Sequence, residues 1–122
     1  MDKRALFGKT GEDIVAKKLS QEGFSILARN YKKRFGEIDI IAGKKDVVAF
    51  VEVKMRKNPL FDLGYLVSTS KQKKIIAVAK EYMARHDLSE KVCRFDVALI
   101  EGNQYSHKLT YIPNAFTEPE MY

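Results

Sequence analysis

The chain carries a single cysteine, Cys93, among its 122 residues. One thiol excludes an intramolecular disulfide framework, and nothing calls for an oxidising compartment. Its place at the start of an apolar stretch predicts a small buried hydrophobe and not a nucleophile. Long apolar runs are also missing. None approaches the ~20 residues that cross a bilayer, and Met1 to Lys9 lack the apolar core of a secretory signal. The expectation is a soluble, cytoplasmic protein without membrane contact. The two histidines, His86 and His107, are isolated, so surface positions are expected for both. There is no glycine-rich phosphate loop, no Ser/His/Asp set and no zinc-ligand spacing, which excludes the chemistries those patterns serve. No internal repeat, low-complexity segment or linker divides the chain.

Hydrophobic residues make up 45% and charged residues 31%, an ordinary globular balance. The length suits one domain spanning 1–122, large enough for a real core. Lys plus Arg number 22 against 16 Asp plus Glu, a net charge of +6. That excess favours a polyanionic partner, and nucleic acid is the commonest one.

A first helix is expected from Thr10, where Thr10-Gly11-Glu12-Asp13 has capping-box spacing, with Ile14, Val15 and Leu19 inward and Gly23 as the stop. A strand follows at Phe24 to Arg29, then a basic connector, Asn30-Tyr31-Lys32-Lys33-Arg34-Phe35. Met55 to Val67 reads as a loop containing Pro59, Phe61, Gly64 and Tyr65. A second helix runs from Ser68 or Ser70 to His86. Its Ile75, Val78, Ala79, Tyr82 and Met83 share one face, and Lys73, Lys74, Lys80 and Arg85 lie opposite. Strands are expected at Arg94–Ile100 and Leu109–Ile112, joined by a turn at Glu101-Gly102-Asn103, with an irregular tail from about 113. The order is α-β-β-β-α-β-β, and a mixed sheet flanked by helices is its natural compact form.

The central feature is a hairpin with arms Gly36–Ile41 and Val47–Lys54 around Gly43-Lys44-Lys45-Asp46. Charged and apolar residues alternate, the pattern of half-buried strands. If the hairpin closes around Lys45-Asp46, cross-strand partners have numbers summing to 91. Asp39 then faces Glu52, Glu37 faces Lys54, and Ile38, Ile40, Val51 and Val53 share the other face. A one-residue slip scrambles both faces. Opposed residues have Cβ atoms roughly 5 Å apart, where like charges repel. Two facing carboxylates imply that one is protonated or that a cation lies between them. A hard ion such as Mg²⁺ suits one or two carboxylates plus water and phosphate. The plain alternative is a solvated ladder of ion pairs worth little.

An acid on the first helix, a strand carrying Asp39, then Glu52-Val53-Lys54 resembles the PD-(D/E)XK nuclease superfamily, which includes restriction endonucleases and archaeal Holliday-junction resolvases. More closely, the chain resembles the YraN-like family of small, largely uncharacterised bacterial proteins. The stretches that carry this are Gly11-Glu12, Arg29-Asn30-Tyr31, Gly36–Ile41, Phe50–Arg56, Arg94–Val97 and Asn114-Ala115-Phe116. They follow one another along nearly the whole chain. Ile38 stands where the superfamily name places proline, and the carboxylate after it is kept.

The resemblance implies a restriction endonuclease-like α/β fold and Mg²⁺-dependent hydrolysis of phosphodiester bonds, with Mn²⁺ as a substitute. By this likeness Asp39 and Glu52 hold the metal, helped by the carbonyl of Val53 and by Glu12. Lys54 stabilises charge on the phosphate or orients the nucleophile. For Glu12 the plain alternative is an acid complementing a helix dipole. Lys71 matches a position where related nucleases place a polar site residue. Lys32, Lys33, Arg34, Arg56 and Lys71 are candidate phosphate contacts, which position the backbone without reading sequence. Glu37 is read as a partner of Lys54, and Asp96 as structural, paired with Arg94. The implied substrate is DNA, branched or junctional by analogy with resolvases, and the implied assembly is a homodimer. The competing readings are a non-catalytic nucleic-acid-binding module with the nuclease fold and a scaffold whose basic charge is incidental.

Overall fold

Gly11, Val15 and Leu19 recur every fourth residue and are buried as one stripe. They belong to α1, Lys3–Gln21, in a computed structural model that describes residues 3–56, 67–103 and 105–118. The helix therefore starts seven residues before the expected cap at Thr10, and Gly11 lies in its interior. Glycine is costly there, but a Cβ on Gly11 would stand 2.5 Å from Sδ of Met55. The missing side chain lets the helix close onto the sheet beside Glu12.

The remaining elements are β1 Ser25–Lys33, β2 Gly36–Lys44, β3 Val47–Arg56, α2 Thr69–Arg85, β4 Val92–Gly102 and β5 His107–Phe116. They form one five-stranded sheet ordered β1-β2-β3-β4-β5. Only β3 and β4 run parallel, across the α2 crossover, and every other neighbour is antiparallel. This is the expected α/β architecture, a mixed sheet flanked by helices, in the expected element order.

Each face of the sheet carries a helix. Ile75, Val78, Ala79 and Tyr82 of α2 pack with Ile38, Ile41, Phe50, Phe95 and Leu99. Val15 and Leu19 of α1 pack with Ile40, Ala42, Ala49, Val51, Val53 and Ala98. Strands covered on both sides read as continuous apolar runs, so β2 and β3 are not half-buried with a solvated charged face. The register survives where it can be checked: Ile40 pairs with Val51, Ile41 with Phe50 and Lys44 with Val47. The ladder stops at Ile40–Val51, before the expected Asp39–Glu52 step.

Several boundaries differ from expectation. Strand β1 continues through Asn30 to Lys33, so the basic connector shrinks to Arg34 and Phe35. Strand β3 extends to Arg56, and the rest of the expected loop, with Pro59, Phe61, Gly64 and Tyr65, lies outside the described residues. Strand β5 continues through Pro113 to Phe116 because the chain bulges there: Phe95 pairs with Phe116 but Val97 with Ile112. Pro113 lies on an edge strand, where a missing N–H costs least. Asn114 takes a left-handed φ of 53°, and Phe116 stacks on Phe95 at 5.2 Å. Cys93 is exposed, against expectation. Packing around its thiol still pushes its pKa up to about 11, which favours the protonated form.

Candidate functional site

Where the β2–β3 ladder ends, a side chain takes over. The amide N–H of Val53 donates to Oδ2 of Asp39 at 2.8 Å, so the carboxylate enters the seam between the strands. Ile38 and Ile41 join the core under α2, whereas Ile40 and Ala42 join the core under α1. Strict alternation would put Ile38 with Ile40, so the strand breaks phase at Asp39. On the other side, Asn30 of β1 takes a left-handed φ of 51°, a conformation asparagine tolerates.

Asp39 and Glu52 are only 9% and 5% exposed. Burial and the charge of Glu52 raise the pKa of Asp39 to about 6. Glu52 is held from α2: Nζ of Lys71 lies 2.5 Å from its Oε1. Lys71 is set in the first turn of the helix, where its N–H donates to the hydroxyl of the N-cap Ser68 at 3.2 Å. Burial lowers the affinity of Lys71 for its proton, but the bond to Glu52 outweighs this and raises its pKa overall. Nζ of Lys54 stands 3.9 Å from the same Glu52 oxygen. Burial and the adjacent Lys71 ammonium pull the pKa of Lys54 down, which brings its neutral form closer to use.

Glu12 reaches this group by its charge. Burial and Asp39 raise its pKa, while Arg29 and a side-chain hydrogen bond from Asn30 oppose that. Arg29 lies 3.9 Å from Glu12 and 2.7 Å from Asp13. Among the described residues no group of three His, Cys, Asp or Glu side chains is placed to hold an ion. Glu12 is an electrostatic neighbour of Asp39.

The two buried carboxylates are the oxygen donors gathered here, with Val53 bonded to Asp39 through its amide. The pair fits a hard divalent ion, which takes few protein oxygens and keeps several waters. Burial first, and the charge of Glu52 second, keep the pKa of Asp39 raised although Lys71 opposes them.

Glu37 does not face Lys54. Its cross-strand partner is Lys32, 3.9 Å away at the charged ends. Lys71, expected as a phosphate contact, is committed to Glu52. Lys32 and Arg34 are exposed, Lys33 lies 3.4 Å from Glu81, and Arg56 ends β3 half-buried. Asp96 is structural and pairs with Arg94, as expected. Sequence reasoning missed the role of Asn30 at Glu12. An asparagine inside a strand, where the residue is disfavoured, was the available signal.

The profile of the uncharacterised protein family UPF0102 matches residues 11–100. The chain belongs to this family. A UPF0102 protein of Dictyoglomus turgidum is 46% identical over 112 residues, covering 89% of this chain and 95% of the relative. Others from Clostridioides difficile and Nitrosomonas europaea are 43% and 39% identical, covering 89% and 91% of this chain and 95% and 93% of their own length. Among solved structures, Archaeoglobus fulgidus Hjc, a Holliday junction resolvase from an archaeal hyperthermophile, is similar with a TM-score of 0.56. It covers 84% of this chain and 72% of its own at 23% sequence identity. This UPF0102 member therefore shares its fold with that protein.

Proposed function

We propose that this protein is a Mg²⁺-dependent endonuclease that hydrolyses phosphodiester bonds of DNA, with a preference for branched or junction structures. The observation that carries this reading is the buried Asp39–Glu52 pair at the end of the β2–β3 ladder, with Lys54 and Lys71 on the same carboxylate. Asp39, Glu52 and the carbonyl of Val53 would hold the ion, which when bound supplies charge stabilisation at the phosphate and a more acidic water. Val53 fixes the Asp39 carboxylate by its N–H. Lys54, its pKa lowered, orients the attacking water or meets charge on the phosphate. Glu12 is held by Asn30 and Arg29 beside Asp39 and orders solvent there. Lys32, Lys33, Arg34 and Arg56 contact the phosphate backbone. A homodimer is the assembly that pairs two cuts across a junction.

A non-catalytic nucleic-acid-binding module is the second reading. It is favoured by the Lys71–Glu52 bond, which neutralises one acid without an ion. The deciding experiment is Mg²⁺- or Mn²⁺-dependent cleavage of labelled duplex, single-stranded, flap and four-way-junction DNA, with Glu52→Gln beside the natural protein. Cleavage reduced at least about a hundredfold in the variant is expected, in line with metal contributions of several kcal/mol. Equal cleavage by both proteins rejects the site, and binding without cleavage by either supports the module.

A further inference from the structure

The turn between β1 and β2 holds only Arg34 and Phe35, and both are exposed. Phe35 is 47% exposed, at the tip of a hairpin where Lys32, Lys33, Arg34 and Glu37 are its charged neighbours. Its ring offers a large apolar face that a flat partner can cover.

The base of this hairpin is fixed. A Cβ on Gly36 would stand 3.1 Å from Val78 and 3.2 Å from Cβ of Lys74, so the backbone rests directly on α2. Tyr31 anchors the other strand by donating to Glu81 at 2.7 Å and by an edge contact with Tyr82 at 5.1 Å. Phe35 is therefore presented on a rigid support, at small entropic cost for any contact it makes.

The surroundings are cationic. Lys32, Lys33, Arg34 and Lys74 line one surface groove with Phe35 and Glu37. Lys33 is partly committed to Glu81 and Lys32 weakly to Glu37. Arg34 and Lys74 add two further exposed charges. Strand β2 carries both Phe35's neighbour Gly36 and Asp39. Four residues of extended strand span about 13 Å, short enough for one nucleic-acid strand to touch both.

We propose that Phe35 is a stacking platform for an unpaired nucleobase, with Lys32, Arg34 and Lys74 holding the flanking phosphates. This rests on the nucleic-acid reading above and gives it a physical source of structure selectivity. A stacked base must be unpaired, so the contact is available to single strands, flaps and junction points and is denied to an intact duplex. Aromatic stacking is tolerant of base identity, which agrees with a groove that offers no base-reading helix.

The chain contains no tryptophan, so Phe35→Trp installs a single emitter at the tip. It would be titrated in EDTA with a twelve-residue oligothymidylate and with a blunt duplex of equal length, while anisotropy of the labelled DNA reports binding. The single strand should quench the emission by about half or more and the duplex far less. Phe35→Ala should weaken single-strand binding about tenfold, a typical loss for one base–aromatic stack, and leave duplex binding within about twofold. Lys32→Ala should weaken both alike. Saturated single-strand binding with unchanged emission, or Phe35→Ala binding it as tightly as the natural protein, overturns the platform and leaves the nucleic-acid reading standing. Absence of binding to either DNA by the natural protein overturns both.

Discussion

Two neighbouring places on this sheet bury an acid, and they do so in opposite ways. Asp96 on β4 is fully buried. Its carboxylate accepts from Nε of Arg94 at 2.9 and 3.1 Å, from an Arg94 amino group at 2.8 Å, from the hydroxyl of Tyr111 at 2.5 Å and from the N–H of Asn114 at 2.8 Å. Burial and the Asp96 charge in turn hold the Tyr111 phenol well above its ordinary pKa. The parallel partner of Asp96 is Val51, whose chain neighbour Glu52 points toward the other face. There Glu52 and Asp39 share one lysine bond and one amide, and each feels the other's charge. The first acid is saturated with donors and pins a bulge. The second pair is left electrically incomplete. Burial alone therefore does not decide how well a carboxylate's charge is answered, whereas the count of donors does.

That contrast can be broken from either side. The largest effect is expected at Asp96. Asp96→Ala leaves the Arg94 guanidinium and the Asn114 amide without their acceptor, and breaking a buried pair costs about 3–5 kcal/mol. Urea denaturation should show that loss as a lower midpoint with an unchanged slope. A loss below about 1 kcal/mol would mean the cluster is not the anchor of β5.

A smaller change of opposite sign is expected at Asp39. Its folded-state pKa is raised from 3.8 to about 6, so between those values the folded protein binds more protons than the unfolded chain. Stability from this group is then present at low pH and lost as pH rises through about 6. In EDTA, Asp39→Asn should stabilise the protein by about 1–3 kcal/mol at pH 8, a shift of that size being equivalent to one or two pH units of proton affinity. The gain should vanish near pH 4. Thermal melts across that range check it, and a gain independent of pH would show that charge is not its source.

The smallest effect is expected at Lys71. Removing it strips a positive charge from Glu52 and should tighten Mn²⁺ binding about three- to tenfold, the range of a partly exposed ion pair. Electron paramagnetic resonance of free Mn²⁺ measures this without any turnover. Weaker binding by Lys71→Ala would indicate that the lysine organises the carboxylates and does not compete for them.

The same contrast marks what could be read from the residues alone. The register was legible because aliphatic and charged residues fix it from Ile40 outward, and the arithmetic held to Val51. It failed at the next step because the Asp39 side chain takes a bond that a ladder would give to backbone, and period counting does not see that substitution. Arg94 beside Asp96 was legible at two-residue spacing. Tyr111 and Asn114 were not, since both come from β5, the first in its regular ladder and the second from the bulge that follows. Thr10 looked like a cap because Thr-x-x-Asp also fits a helix interior, and only the contact between Gly11 and Met55 shows why the glycine lies there. Lys71 was found by likeness to a family, yet its bond to Glu52 depends on where a helix seventeen residues long sets its first turn.

The crossover through α2 has a consequence in time. Strands β1, β2 and β3 are joined by tight turns and can pair while little of the chain is ordered. The β3–β4 ladder must instead wait for a whole helix to cross, and such non-local closure is slow. A refolding molecule that has only its hairpins made already brings Asp39 and Glu52 together but has no Lys71 to set against them. Docking of α2 thus delivers the Lys71 counter-charge to Glu52 and covers the core in the same event.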